Sequence, residues 1–337
     1  MAKTILSNSE VLASIGLPKE VVDKLLTTQG DDYKAVANEF LNALVNKIVY
    51  QKIANMNFSN PFKRFDGYPV EYGDTIENIF VDRQLGRKFD RTDTDPFSKS
   101  LPRVSSSYVS INYEMEYPLT IEDKDMRKAC LSSNGFMRLT DALVNSLGTS
   151  MSVDEYLATI IMLNNSANYV KGFESINLTG VTDDSIIADK VLHTIIDVAK
   201  DFTLPSVSNN VKKVMTCTPY DRILLIIKQE LLNKIDLDYL TGVFNLSKVD
   251  LVKNIIPVRS FQAVVNTLNG ETLTPGVNGD DIDFVIMDSA GFDNHDALRA
   301  TGTIYNPRGL YLNFFSHLWK ILSVRPDFQA RAFKITK

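Results

Sequence analysis

The chain is poor in the residues that most chemistry needs. Its 337 residues hold two cysteines, three histidines and one tryptophan. Cys130 and Cys217 lie far apart with no CxxC spacing. That excludes a disulfide framework and a cysteine zinc site, and the expected setting is a reducing cytoplasm. No run of roughly 18 apolar residues occurs, so no membrane span is expected. Met1 to Glu10 has no long apolar core, so no signal peptide is expected either. The Asn-X-Ser/Thr triplets, such as Asn177-Leu178-Thr179, then read as chance matches. Basic residues do not dominate: 36 Lys and Arg stand against 41 Asp and Glu, a net charge of −5. A dedicated DNA binder would carry a basic footprint instead. GxSxG, HExxH, GxGxxG and the phosphate-loop pattern are all missing in suitable context. Nucleophilic, zinc and phosphate-loop catalysis therefore have no anchor. Carboxylates gathered from distant segments would still leave an enzyme open.

What the chain has is apolar pattern. Hydrophobic residues make up 44% of it, enough for a sizeable core. Its end is the densest stretch. Asn306-Pro307-Arg308-Gly309 is a turn signal, and Tyr311 follows in a run rich in aliphatic and aromatic side chains. Leu310, Leu312, Phe314, Leu318, Leu322 and Val324 are apolar, and so are Tyr311, Phe315, Trp319 and Ile321. A strand with one wet face would alternate. This one reads as a structural beam in the middle of a sheet, covered on both sides. Asn306, Pro307, Arg308, Gly309, Tyr311 and Trp319 mark it.

Upstream, the periods change. Residues 1–56 carry helical spacing, with Tyr33, Val36, Phe40, Leu44 and Ile48 as an amphipathic stripe. In residues 57–118 the pattern becomes extended. Val109, Ile111, Tyr113, Met115 and Tyr117 alternate with Ser110, Asn112, Glu114 and Glu116. A polar stretch from Arg87 to Pro96 precedes them. A polar tip between two extended arms predicts a long hairpin, which is marginal without a partner surface. Residues 134–169 step by three and four as one long helix, with a possible break at Gly148. From 185 to 300 helix and strand patterns alternate in a compact α/β lobe. Helices are expected over 186–198, 220–234 and 237–244, and strands over 211–217, 252–258 and 283–288. A polar, Gly-rich loop spans 269–280.

Candidate sites are few. His193 and His317 sit in apolar stretches and read as structural. Asp293, His295 and Asp296 match no known metal spacing. Asp90, Asp93 and Asp95 fail the calcium-loop pattern, because Thr92 and Leu101 stand where ligands belong. No catalytic, cofactor or metal residue is assigned. Lys63, Arg64, Arg83, Arg87, Lys88 and Arg91, with Asp93 and Asp95, form a charged patch in the hairpin region. It reads either as a solvated face or as a docking surface on which charge sets register.

Several segments resemble the major capsid proteins of small short-tailed phages of the phi-twenty-nine type. They are Asn60-Pro61-Phe62-Lys63-Arg64-Phe65, Thr75 to Asp82, Val153-Asp154-Glu155-Tyr156, Thr203-Leu204-Pro205, Leu237-Asp238-Tyr239-Leu240 with Phe244-Asn245, and Asn306 to Tyr311 with His317, Trp319 and Leu322-Ser323-Val324. They keep the family's order from about residue 57 to 335. None is a catalytic signature, so the specificity lies in their number and order. The resemblance implies a mixed α+β chain with the Hong Kong-ninety-seven capsid fold. Residues 1–56 would be an N-terminal arm and 57–118 an extended loop. Residues 119–184 and 303–337 would be a peripheral domain with a spine helix and the final strands, and 185–302 an axial domain. It implies self-assembly into hexamers and pentamers, a scaffolding protein, a portal, and double-stranded DNA held without sequence specificity. Assembly would take place in the bacterial cytoplasm, the product being a virion, with no membrane and no cofactor. The rival readings are an encapsulin-like compartment shell and an α/β enzyme working under the 269–280 loop.

Overall fold

The structure is a computed structural model. It describes residues 56–70, 75–92, 97, 99–122, 135–235, 254–274 and 281–336. The expected N-terminal helices, the expected helix at 237–244, Asp93 and Asp95 lie outside these residues. In chain order the elements are β1 (Thr75–Val81), β2 (Val104–Ser110), β3 (Tyr113–Glu122), α1 (Gly135–Leu163), β4 (Phe173–Asn177), α2 (Asp184–Thr203), β5 (Ile223–Lys228), α3 (Gln229–Leu232), β6 (Ile255–Val258), β7 (Val265–Asn266), β8 (Thr272–Leu273), β9 (Phe284–Asp288), β10 (His295–Asn306), β11 (Tyr311–Ile321) and β12 (Ala330–Thr336).

The chain forms two compact units. The larger holds Asn57–Leu119, Leu147–Ile304 and Asn313–Lys337; the smaller includes Thr120–Ser146 and Tyr305–Leu312. The larger unit is built on a mixed five-stranded sheet of order β4-β12-β9-β5-β6. β12 runs parallel to β4 and antiparallel to β9; β5 runs antiparallel to β9 and parallel to β6. Alternation along the strands sends side chains to opposite faces. Leu225 and Ile227 of β5 and Phe284 and Ile286 of β9 meet Ile187, Val191, Ile195 and Phe202 of α2. Their neighbours Leu224, Ile226, Val285 and Met287 meet Ile160, Ile161 and Leu163 of α1, with Phe261 and Val258. Asp183 caps α2, its side chain accepting from the Ser185 N–H.

Several expectations change. Residues 220–234 are not one helix: Ile223–Lys228 is a strand and only Gln229–Leu232 is helical. An unbroken aliphatic run has no period to read, and here the strand reading wins because layers cover both faces. Residues 211–217 are not a strand: a turn at 211–212 leads into irregular chain, and Thr216 makes an isolated bridge with Ser206. The nine-residue alternation at 109–117 is two strands. β2 pairs with β1, while β3 joins a sheet of order β10-β11-β3. Asn112 makes the break. Its Nδ2 donates to the Leu322 carbonyl at 2.7 Å, and its Oδ1 accepts from the Leu322 N–H at 2.9 Å. α1 runs unbroken through Gly148 and stops at Leu163 rather than 169. Its last carbonyls are taken by side chains: Asn168 Nδ2 donates to Met162 O, and the Tyr169 hydroxyl to Leu163 O. The final strand, β12, pairs between β4 and β9, and its Ala330 and Ala332 share a cluster with Ile160, Ile161 and Leu163 of α1.

Candidate functional site

The ribbon of β1 and β2 has no fully buried residue. It is a two-stranded antiparallel sheet, with Thr75 opposite Ser110 and Val81 opposite Val104. On both strands exposed and half-buried residues alternate. Ile76, Asn78 and Phe80 share the half-buried face with Ser105, Ser107 and Val109. Ile79, Val81, Val104 and Tyr108 point the other way and are more than half exposed. Beyond the strands Phe89, Phe97 and Leu101 are each at least 80% exposed. Apolar side chains left open together mark a surface that another body covers.

The charged residues singled out in the sequence lie along this region without converging on a point. Lys63 and Arg64 are exposed on a 3-10 turn, Pro61–Phe65, whose Phe62 is buried. Phe62 packs on Tyr156 and Phe292, and Phe65 stacks on Phe292 with ring centroids 4.8 Å apart. Arg64 lies over the Phe65 ring. Arg83, Arg87, Lys88 and Arg91 are exposed in the stretch after β1. Asp90 there closes a local turn by accepting from the Thr92 N–H and hydroxyl, and those bonds hold its carboxyl below the usual value.

At the root of the ribbon lies a buried ion network with no counterpart in the sequence reading. Lys320 on β11 is 2% exposed. Its ammonium lies 2.8 Å from Asp66, 2.8 Å from Glu155 on α1 and 3.1 Å from Asp296 on β10. Arg299 bonds Glu155 and Asp296, each at 2.6 Å. Burial raises the Asp66 carboxyl despite Lys320. Burial also works against ionised Asp296, but Arg299 and Lys320 overcome it and its carboxyl is lowered. The three carboxylates are close enough to surround a cation. The lysine ammonium already occupies the space between them, so the cluster is an ion network and not a metal site. Beside it the Tyr117 hydroxyl donates to Asp154 and lies 3.1 Å from the Tyr113 hydroxyl. Burial pushes both phenols up.

The beam residues divide. Asn306 to Tyr311 form the turn between β10 and β11. Asn306 Oδ1 accepts from the N–H groups of Arg308 and Gly309, and its Nδ2 donates to the Tyr311 hydroxyl. Leu310 takes a positive φ of 52°, and a Cβ on Gly309 would overlap the Tyr311 ring, so glycine is required there. Pro307 is exposed. Trp319, expected under cover, is 36% exposed while Leu318 and Lys320 beside it are buried. The three-stranded sheet therefore leaves one face of β11 partly open at this position. His193, expected inside, is on the exposed face of α2, and His317 is half-buried. Asp293, His295 and Asp296 do not share a centre: His295 reaches Asp293, whereas Asp296 turns to Lys320 and Arg299. A single signal pointed to the network: Lys320 interrupts an apolar run, and a lysine held there needs partners.

Comparison with known proteins gives a consistent result. A family profile described as Phi29-like phage major capsid protein matches residues 17–334. The major capsid protein of Bacillus phage PZA is 26% identical over 354 aligned positions, covering 96% of this chain and 75% of that protein. That of Streptococcus phage Cp-1 is 29% identical over 303 positions, covering 86% and 81%. The capsid structure of Staphylococcus phage Andhra superposes with a TM-score of 0.68 at 11% identity, covering 86% of this chain and 88% of that one.

Proposed function

The chain belongs to the Phi29-like phage major capsid protein family, with the mixed α+β Hong Kong-ninety-seven fold of tailed-phage capsids, and from that premise we propose that its β1–β2 ribbon closes the head by docking on a neighbouring copy. As a major capsid protein it builds the virion shell with copies of itself.

One observation carries the docking role. The ribbon pairs only within itself in the sheet order and leaves Ile79, Val81, Val104 and Tyr108 open on one face. Covering such a side chain is worth about 1.5–3 kcal/mol. A few per copy, repeated around a closed lattice, make a stable shell from modest contacts. The exposed basic residues from Arg83 to Arg91 set the register of that docking. Residues 57–118 serve as the extended loop, 1–56 as an arm reaching a neighbour, and α1 as the spine of a peripheral domain. Residues 185–302 form the axial domain, with its sheet completed by β4 and β12. Hexamers and pentamers of the chain assemble in the host cytoplasm around a scaffolding protein and a portal, and the shell then holds double-stranded DNA. We assign the chain no catalytic role; the buried charged groups at the ribbon root are used up on one another.

Deleting residues 86–100 tests this. The subunit is expected to unfold cooperatively as before, and electron microscopy of the protein expressed with its scaffold is expected to find no closed shells. Normal shells from the deletion would sink the docking role.

A further inference from the structure

His295, the first residue of β10, faces two acceptors. Its Nδ1 lies 2.7 Å from the Tyr68 carbonyl oxygen, and its Nε2 lies 3.1 Å from Asp293 Oδ1. A backbone carbonyl has no proton to give, and neither has an ionised carboxylate. Neutral imidazole carries one N–H and one lone pair. It satisfies one of these partners and turns its lone pair on the other. Only the doubly protonated ring donates to both.

The two partners belong to different parts of the fold. Tyr68 lies on the segment that leads into β1, and Asp293 lies just before β10. The Asp293 carboxylate also accepts from Asn78 on β1. Around them the Gly67 N–H donates to Asn294 O at 2.7 Å, and the Val70 N–H to Asp296 O at 2.9 Å. Gly67 lies so close to the imidazole that a Cβ there would overlap the ring. The side chain of His295 is 19% exposed and that of Asp293 is 6% exposed. On the Asp293 side little water is at hand to rescue a lone pair set against an oxygen, whereas Tyr68 itself is exposed.

We propose that His295 is a proton-gated clasp on the root of the ribbon: protonated, it joins Tyr68 to Asp293; deprotonated, it gives up one of these bonds and loosens Gly67–Val70 against β10. The charges on the elements around it are Asp66 from the turn before β1, Glu155 from α1, Asp296 and Arg299 from β10, and Lys320 from β11. These are paired with each other. Asp293 is the carboxylate in contact with the ring. The ribbon's freedom to swing is thereby tied to pH at a point outside its apolar face.

Hydrogen exchange of the unassembled full chain, corrected for the intrinsic effect of pH, reads the clasp. Between about pH 5.5 and 8.5, peptides covering 66–81 are expected to lose protection about tenfold, the worth of one charge-assisted hydrogen bond. Peptides of α2 are expected to stay unchanged, which reports that the core remains folded. His295→Gln is expected to show low protection in 66–81 at every pH. Asp293→Asn, whose side-chain amide can donate to the Nε2 lone pair, is expected to keep protection in 66–81 level across the range. Flat protection in the wild type, or a wild-type response in His295→Gln, would overturn the proposal. If His295→Gln strips protection from α2 as well, Asp293→Asn decides, and a wild-type loss of protection there overturns it.

Discussion

From Ile223 to Ile227, β5 is buried at every residue, whereas no residue of β1 or β2 is fully buried. Both regions are rich in aliphatic side chains. The difference is the number of layers. β5 lies between α2 on one face and the end of α1 on the other. The ribbon is two strands wide and has no layer on its outer face. A lone two-stranded sheet is marginal in water, so the ribbon depends on its root, and the root is held by polar contacts. On the proposed docking role, the chain keeps its own stability in one place and its capacity to join others in another. The joint between them is made of charges, whose strength conditions can change.

The largest test of that division lies in the core. Phe284 on β9 is fully buried and stacks on Phe333 of β12 with centroids 4.8 Å apart. Phe284→Ala is expected to cost about 3–5 kcal/mol in urea unfolding, since the cavity cannot collapse between the sheet and α2. A loss under about 1 kcal/mol would mean that the sheet is not where stability resides. Lys320→Met comes next. It keeps the shape but leaves Glu155, Asp66 and Asp296 facing Arg299 alone, and breaking a buried pair this way costs about 3–5 kcal/mol. The retained Arg299 sets the expectation near 3. The pH course distinguishes it from a packing defect. Burial opposes the charge on Lys320, but Glu155 and Asp66 more than restore it, so its ammonium is held above the ordinary 10.5. A raised value means stability that is complete below pH 10.5 and is lost as pH rises through the folded-state value. The alkaline fall is expected in the wild type and missing in Lys320→Met.

What the sequence makes legible follows the range of the physics. The stripe that buries α2, the strand at 284–288 and the Asn306 turn are local patterns, and the structure has them at those residues. β5 reads as a helix because ILLII is apolar at every position from Ile223 to Ile227; its type is decided by the layers above and below, not by period. The break at Asn112 rests on Leu322, 210 residues away. The network at Lys320 joins residues 165 and 254 positions apart. No spacing rule reaches that far. The candidate site was legible in its place but not in its chemistry. The sequence directs attention to the charges of the hairpin region, while the exposed face of the ribbon also carries Ile79, Val81, Val104 and Tyr108. Alternation marks one face of a strand as apolar. It does not tell whether the residues between are wet, because that depends on whether a further layer exists.

The smallest effect on the subunit is expected to be the most damaging to assembly. Ile79 and Val81 lie on the open face of β1, 56% and 61% exposed. Replacing both with serine removes little that the isolated chain buries, and its unfolding free energy is expected to move by less than about 0.5 kcal/mol. In a shell the same two side chains would be covered, and losing each takes away on the order of 1.5–3 kcal/mol per copy. Shell yield by electron microscopy and sedimentation is expected to collapse while the subunit stays intact. A salt series on wild-type shells gives the opposing arm. At about 1 M salt the screening length falls to about 3 Å, so docking that rests on Arg83, Arg87, Lys88 and Arg91 would dissolve while apolar docking holds. Shells that survive the serines and fall apart in salt would reverse the assignment, making the ribbon's charge its adhesive and its apolar face incidental.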